Sequence, residues 1–212
     1  MRFVDKWAYA CAYQLAGVLN ENHQRRAVYY YGFIIIFGSL VKGLALTVVS
    51  LLLGIFRPIV IIAIAFGLLR LVAGGYHMDT YGKCLLVSMV LFISAGVTAQ
   101  YSVLYWKTAH LITLISVVFV FGLYAIIRYA PRDTPNKRIT EIAEIRKFKR
   151  LSLIYLGVWL TVTAGLVVLG FRMAVLALCF AVSLEIFTII PTGQRFFDFI
   201  KEGLSKRGAV QH

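Results

Sequence analysis

Apolar and polar positions alternate along this chain in blocks. A short amphipathic pattern comes first, and six long apolar runs follow it. Over residues 2–20, Phe3, Trp7, Ala10, Cys11, Leu15 and Val18 recur at three- and four-residue steps, while Arg2, Lys6, Tyr9 and Tyr13 lie elsewhere on the wheel. That spacing predicts an amphipathic helix lying in the headgroup region of a bilayer. His23, Arg25 and Arg26 form a basic collar before the first apolar run, which covers about 29–55 and is interrupted near its middle by Lys42. A lysine there is costly in lipid unless it faces protein or water. The second run, from Pro58 to Leu69, reaches 16 residues if extended through Ala73. As a helix it measures about 24 Å, short of the roughly 30 Å hydrocarbon layer. The remaining runs lie at about 85–106, 109–128, 151–170 and 171–190.

Composition agrees with spans rather than a soluble core. Of 212 residues, 60% are hydrophobic, and mean hydropathy is +0.82, above the roughly 45–50% apolar usage of soluble domains. The expected fold is an all-α polytopic membrane bundle of six spans plus interfacial helices, in one domain over 1–212. Within it, 1–28 is the interfacial helix and collar and 29–190 the six-span bundle. The bundle carries a loop at 70–84 and a basic loop at 129–150, and 191–212 is a tail. Asp5 and Lys6 interrupt the start of the chain, so no signal peptide is expected.

The net charge is +13, from 22 Lys and Arg against 9 Asp and Glu. In a membrane protein such an excess marks cytoplasmic loops and anionic lipid contacts. No basic stretch carries a nucleic-acid motif, so nucleic acid is set aside as a partner. The 128–150 stretch holds eight basic residues, Arg128, Arg132, Lys137, Arg138, Arg146, Lys147, Lys149 and Arg150, against Asp133, Glu141 and Glu144. The turns near Arg57, Lys107 and Arg172 carry one basic residue each. Six crossings put every charge-rich segment inside and every sparse turn outside. They also put both termini and residues 70–84 in the cytoplasm. A re-entrant second run would turn the most basic loop outward. In the 129–150 loop, Pro131 and Pro135 mark an ordered turn. Beyond it, Ile139, Ile142, Ile145 and Phe148 predict a second interfacial helix leading into span five.

The candidate chemistry lies in Arg70-Leu-Val-Ala-Gly-Gly-Tyr-His-Met-Asp-Thr-Tyr-Gly-Lys-Cys84, the one place where a histidine and a cysteine are close in sequence. A thiol needs a base or a nearby positive charge to act as a nucleophile, and His77, Arg70 and Lys83 are at hand. On an unbroken helix, seven residues would hold His77 about 10.5 Å from Cys84, too far for proton transfer. Gly74, Gly75 and Gly82 permit the bend that a dyad requires, so a broken helix is expected. A metal site built from His77, Asp79 and Cys84 matches no common zinc spacing and lacks a fourth ligand, so neither metal nor cofactor is expected. On spacing alone, a structural histidine and cysteine account for the loop more readily than catalysis does. Cys11 and Cys179 read as packing, and His23, His110 and His212 have no partner in reach. Glu185, an acid late in span six, requires a partner; His77 and Arg70 are the candidates, with Lys42 the less natural choice.

With its flanks, the loop resembles the accessory gene regulator protein B (AgrB) family of membrane peptidases. The resemblance rests on Arg70, Gly74-Gly75-Tyr76-His77 and Cys84, on Tyr-Ala-Pro-Arg-Asp-Thr-Pro-Asn-Lys-Arg at 129–138, and on Glu185 followed by Pro191. It covers nearly the whole chain. It implies an integral membrane cysteine endopeptidase of Gram-positive-type bacteria that processes a small AgrD-type propeptide into a cyclic thiolactone autoinducer for quorum sensing. Carried over by position, Cys84 is the nucleophile and His77 its base, with Arg70, Gly75 and Glu185 in support. The basic residues Arg132, Lys137, Arg138 and Lys147 would receive the acidic part of the peptide. Helical membrane peptidases of this kind also suggest a homodimer. The competing function is a non-catalytic transporter or peptide exporter with Lys42 and Glu185 as midplane polar groups. That reading calls for an internal repeat, and no convincing one is found.

Overall fold

A computed structural model describes residues 2–76, 78, 80–132 and 141–209, with the side chains of 2, 3 and 204–209 excepted. Eight α-helices are present among these residues, and no strand. They are α1 (Arg2–Val18), α2 (His23–Leu52), α3 (Phe56–Ala73), α4 (Tyr81–Tyr101), α5 (Thr108–Tyr129), α6 (Ile142–Val168), α7 (Arg172–Ile189) and α8 (Pro191–Ala209). A single 3₁₀ turn at Val103–Tyr105 follows α4. Six of the helices, α2 to α7, are long and apolar enough to cross a membrane. The chain is an all-α, multi-pass membrane bundle.

The boundaries follow local chemistry. Asn22 caps α2 by accepting a hydrogen bond from the Arg25 amide at 3.1 Å. Pro58 sits in the first turn of α3, where its missing N–H costs nothing. At the other end Gly74, with φ +74°, stops the helix just after Ala73, its N–H on the Arg70 carbonyl. Pro191 is the first residue of α8, a position that suits its fixed φ.

The bundle is built around α7. Its residues Val175, Leu176, Ala177, Cys179, Ala181 and Val182 are fully buried, and it packs against α3, α4, α5, α6 and α8. Trp159 of α6 donates to the Leu178 carbonyl of α7 at 3.1 Å, which satisfies an indole N–H in the core. In contrast, α2 buries little beyond Gly38, Leu46 and Ser50. It forms the outer wall, with α1 laid against it.

The α1 surface that packs inward is Ala8, Ala12 and Ala16, whose small side chains allow close approach, while Trp7 and Val18 of the expected apolar stripe are exposed, as side chains turned to lipid would be. Other expectations are corrected. Residues 142–148 do not form a separate interfacial helix: α6 is continuous from Ile142 to Val168. Its 27 residues rise about 40 Å, so its first turns, with Arg146, Lys147, Lys149 and Arg150, extend beyond a bilayer core. Ile139 lies outside the described residues. The 191–212 segment is helical as far as Ala209, and Phe197 anchors it with 3% of its surface exposed. Gly82 does not bend the chain; it lies in the first turn of α4.

Both α3 and α7 are short, at 18 residues each, about 27 Å of helix. They are neighbours in the core. Arg70 and Glu185, each late in its helix, meet across them. The 73–76 turn, residues 130–132 and the start of α8 gather around that point. At the opposite end the Tyr101 hydroxyl donates to the Leu53 carbonyl at 2.9 Å, and Arg172 reaches the Trp106 carbonyl at 3.5 Å.

Candidate functional site

The helix between the two candidate residues is broken, as the loop chemistry requires. α3 ends at Ala73, the described residues 74–76, 78 and 80 are not helical, and α4 begins at Tyr81. Two positive-φ glycines shape the exit, Gly74 at +74° and Gly75 at +147°. The turn is threaded between two partners. On one side the Arg132 amide donates to the Ala73 carbonyl at 2.9 Å, and a Cβ on Gly74 would come within 2.2 Å of the Arg132 carbonyl oxygen. On the other, the Tyr76 amide donates to the Thr188 carbonyl at the end of α7, at 3.2 Å.

Arg70 holds this junction together. Its Nη1 meets Glu185 Oε2 at 3.3 Å and Thr188 Oγ1 at 3.3 Å, and Nη2 donates to the Tyr76 carbonyl. Glu185 is fully buried and Arg70 is 21% exposed by side chain, so the pair lies mostly out of solvent. Glu185 therefore takes Arg70 as its partner, one of the two that its burial called for. Among the described residues, Glu185 Oε1 has no hydrogen-bond partner. Gly75 packs directly on this cluster: an added Cβ would lie 2.4 Å from Thr188 Oγ1, 2.8 Å from Arg70 Nη1 and 3.1 Å from Glu185 Oε1. Only glycine fits there.

Cys84 stands in the first turns of α4, partly buried and free of any disulfide. Its own amide is spent on the Thr80 carbonyl at 3.1 Å, so it cannot serve as an oxyanion donor without opening the helix. The preceding amides of Tyr81, Gly82 and Lys83 belong to the open first turn, and Thr80 gives them no side-chain cap. The thiol faces Lys42 of α2, whose Nζ lies 3.7 Å from Sγ. His77 and Asp79 lie outside the described residues. Their neighbours Tyr76 and Met78 line the same cavity as Cys84.

That cavity, of about 700 Å³, opens between α2, α3 and α4. Its walls are mainly apolar, with Ile35, Leu46, Phe66, Val87 and Leu91 among them, and its cations are Lys42, Arg70 and Arg132. No acidic residue lines it among the described residues. Sequence reasoning placed Arg132 on a basic surface. The structure places it half-buried in the cavity wall, with its guanidinium on Gln194 Oε1. Lys147 is exposed on α6, beside Arg146 and Arg150. Lys137 and Arg138 lie outside the described residues.

Sequence reasoning missed α8 as part of the site. The Tyr76 ring stacks on Phe197 with centroids 5.2 Å apart, and its hydroxyl donates to Asp198 Oδ1 at 2.7 Å. Lys83 Nζ reaches the Lys201 carbonyl at 3.4 Å. The signals were present in Pro191 and in the spacing of Phe197 and Ile200, but they are weak beside six long apolar runs.

Comparison with known proteins identifies the lineage. The family model described as Accessory gene regulator B matches residues 8–189. A protein of Clostridium perfringens (strain SM101 / Type A), named on resemblance as AgrB-like, is 25% identical over 161 residues, covering 76% of this chain and 75% of its own. A second, from strain 13 / Type A and named AgrB-like protein 2, is 25% identical over 190 residues, covering 86% and 89%. No solved structure matches the chain significantly. A family match over residues 8–189, from within α1 to the end of α7, places this chain in the accessory gene regulator B family.

Proposed function

We propose that this protein is a membrane cysteine endopeptidase that cleaves a small AgrD-type propeptide and helps close the product into a thiolactone autoinducing peptide. Family membership supports a place in the accessory gene regulator system of quorum sensing, whose B proteins are generally peptidase-like processing proteins. The observation that carries the finer reading is Cys84 in the wall of a partly open, mostly apolar cavity whose lining, among the described residues, carries cations and no acid.

In this reading His77 takes the Cys84 thiol proton, and the sulfur attacks the scissile carbonyl to give an acyl-enzyme thioester. A cysteine within the peptide then attacks that thioester and closes the ring. One thioester replaces another, so the step is near thermoneutral, and excluding water protects the intermediate from hydrolysis. Short α3 and overlying α8 favour that exclusion. Arg70, Gly75 and Glu185 hold the loop. Arg132, Lys137, Arg138 and Lys147 attract the acidic part of the peptide. The site end, with the α6 basic turns, is the cytoplasmic one by charge, which also keeps the thiol reduced. A bacterial cell-membrane homodimer completes the picture.

The test is Cys84→Ala assayed by mass spectrometry of peptide released from a co-expressed propeptide. Release is expected to vanish while the protein level is unchanged. Maturation that continues at the parent level would sink the peptidase reading.

A further inference from the structure

Lys42 lies well inside an apolar helix, where a charged ammonium is expensive unless a partner offsets it. Among the described residues it has no carboxylate partner, and its Nζ makes one hydrogen bond, to Cys84 Sγ at 3.7 Å. A neutral thiol is a weak acceptor and compensates little of the cost of desolvating an ammonium. Sulfur carrying negative charge compensates far more.

The contact is held in register. One turn before Lys42, the Gly38 carbonyl accepts a hydrogen bond from the hydroxyl of Tyr81, which is itself one turn before Cys84. A Cβ on Gly38 would lie 2.7 Å from the Tyr81 ring, so the absence of a side chain lets the phenol sit against α2. Gly38 and Lys42 share one face of α2, and Tyr81 and Cys84 share one face of α4. The two contacts fasten the outer helix to the start of α4 with the ammonium aimed at the sulfur.

We propose that Lys42 is a further catalytic residue, whose ammonium offsets the negative charge on Cys84 Sγ as the sulfur attacks and again as it departs. The proposal rests on the peptidase reading above. In the first step His77 takes the thiol proton, the Sγ–C bond forms and the carbonyl π pair moves to oxygen. Collapse then breaks the C–N bond, and the amine leaves with the proton from His77. In the second step the peptide's cysteine gives its proton to His77 and its sulfur adds to the thioester carbonyl. The bond to Cys84 breaks with its electron pair going to Sγ, and His77 returns the proton. Lys42 acts through its positive charge alone, a role that arginine can fill and methionine cannot.

The test uses the full chain in detergent, with Cys11 and Cys179 replaced by alanine, and follows alkylation of Cys84 by iodoacetamide at neutral pH. Lys42→Met and Lys42→Gln should slow alkylation about tenfold or more, as loss of one charge-assisted hydrogen bond predicts. Lys42→Arg should stay within about threefold of the parent, since it keeps the charge. Thermal unfolding separates a lost charge from a lost fold, and having two neutral variants keeps one readable. Parent-like alkylation in a folded neutral variant overturns the proposal, as does a folded Lys42→Arg that is as slow as Lys42→Met. Alkylation requires no peptide, so this outcome is scored independently of whether Cys84→Ala still releases product.

Discussion

Arg70→Met should reveal how much of the site depends on one guanidinium. Glu185 is fully buried and meets Arg70 Nη1 at 3.3 Å. Removing one partner of such a pair costs about 3–5 kcal/mol, because the other charge is left buried. Among the described residues, nothing hydrogen-bonds to Glu185 Oε1 to soften that loss. Each kcal/mol shifts the thermal transition of a chain this size by about 2–4 °C, so the transition should fall by roughly 6–20 °C. Replacing both residues, Arg70→Met with Glu185→Leu, should recover most of the loss, since apolar groups of similar volume substitute well for a buried pair. Processing should not recover with it. The double variant still lacks the Arg70 bonds to the Tyr76 carbonyl and Thr188 Oγ1, which hold the turn. The assay pairs thermal unfolding in detergent with peptide release in cells. A double variant that loses the sum of the two single losses refutes the coupling. One that is both stable and fully active refutes the role of Arg70 in holding the loop.

Two further substitutions probe the same junction. Gly75→Ala places a Cβ 2.4 Å from Thr188 Oγ1 at a backbone φ of +147°. It should destabilise by at least about 2 kcal/mol, read as a lower thermal transition, and an unchanged transition would mean that the turn relaxes freely. Gly193→Ala directs a Cβ to within 1.7 Å of the Phe187 carbonyl oxygen at the α7–α8 corner. It should unseat α8 and speed limited proteolysis of residues 192–209 about tenfold; parent-like protection would show that α8 tolerates a wider corner.

The parts of this molecule legible in the sequence are those governed by long averages. Six apolar runs fixed the spans, and the charge alternation predicted which loops would share an end. Arg132 on Ala73 and Tyr76 on Thr188 bring those loops together. The break after Ala73 was legible because paired glycines end helices for a local reason. The register of one helix against another was not. Ala8, Ala12 and Ala16 pack α1 on α2 because they are small, a property that hydrophobic periodicity does not weigh. Lys42 looked misplaced in its run, and only the approach of α2 to α4 shows that it ends at Cys84 Sγ. Arg132 counted as one charge among eight, yet its backbone amide and its guanidinium each tie a different segment to the junction. Pairings of that kind depend on three-dimensional neighbours far apart in the chain, and no window of sequence contains them.

The polarity of the helix ends gives Arg70 a role at the junction in the proposed peptidase chemistry. The late turns of α3 and α7 present the negative ends of two helix dipoles, and Glu185 adds a carboxylate to the same region. Chemistry that builds negative charge on a sulfur and an oxygen nearby would be opposed by that concentration. Arg70 sits where it offsets both, in the last turn of α3 with its guanidinium on Glu185. From there the chain crosses to the start of α4, a positive helix end, where Cys84 meets Lys42. The loop therefore runs from a neutralised negative end to a reinforced positive one. Along the chain, Arg70 compensates the carboxylate, Gly75 turns tightly against it, and Cys84 follows at a helix start beside Lys42, which is where the proposed chemistry would place negative charge.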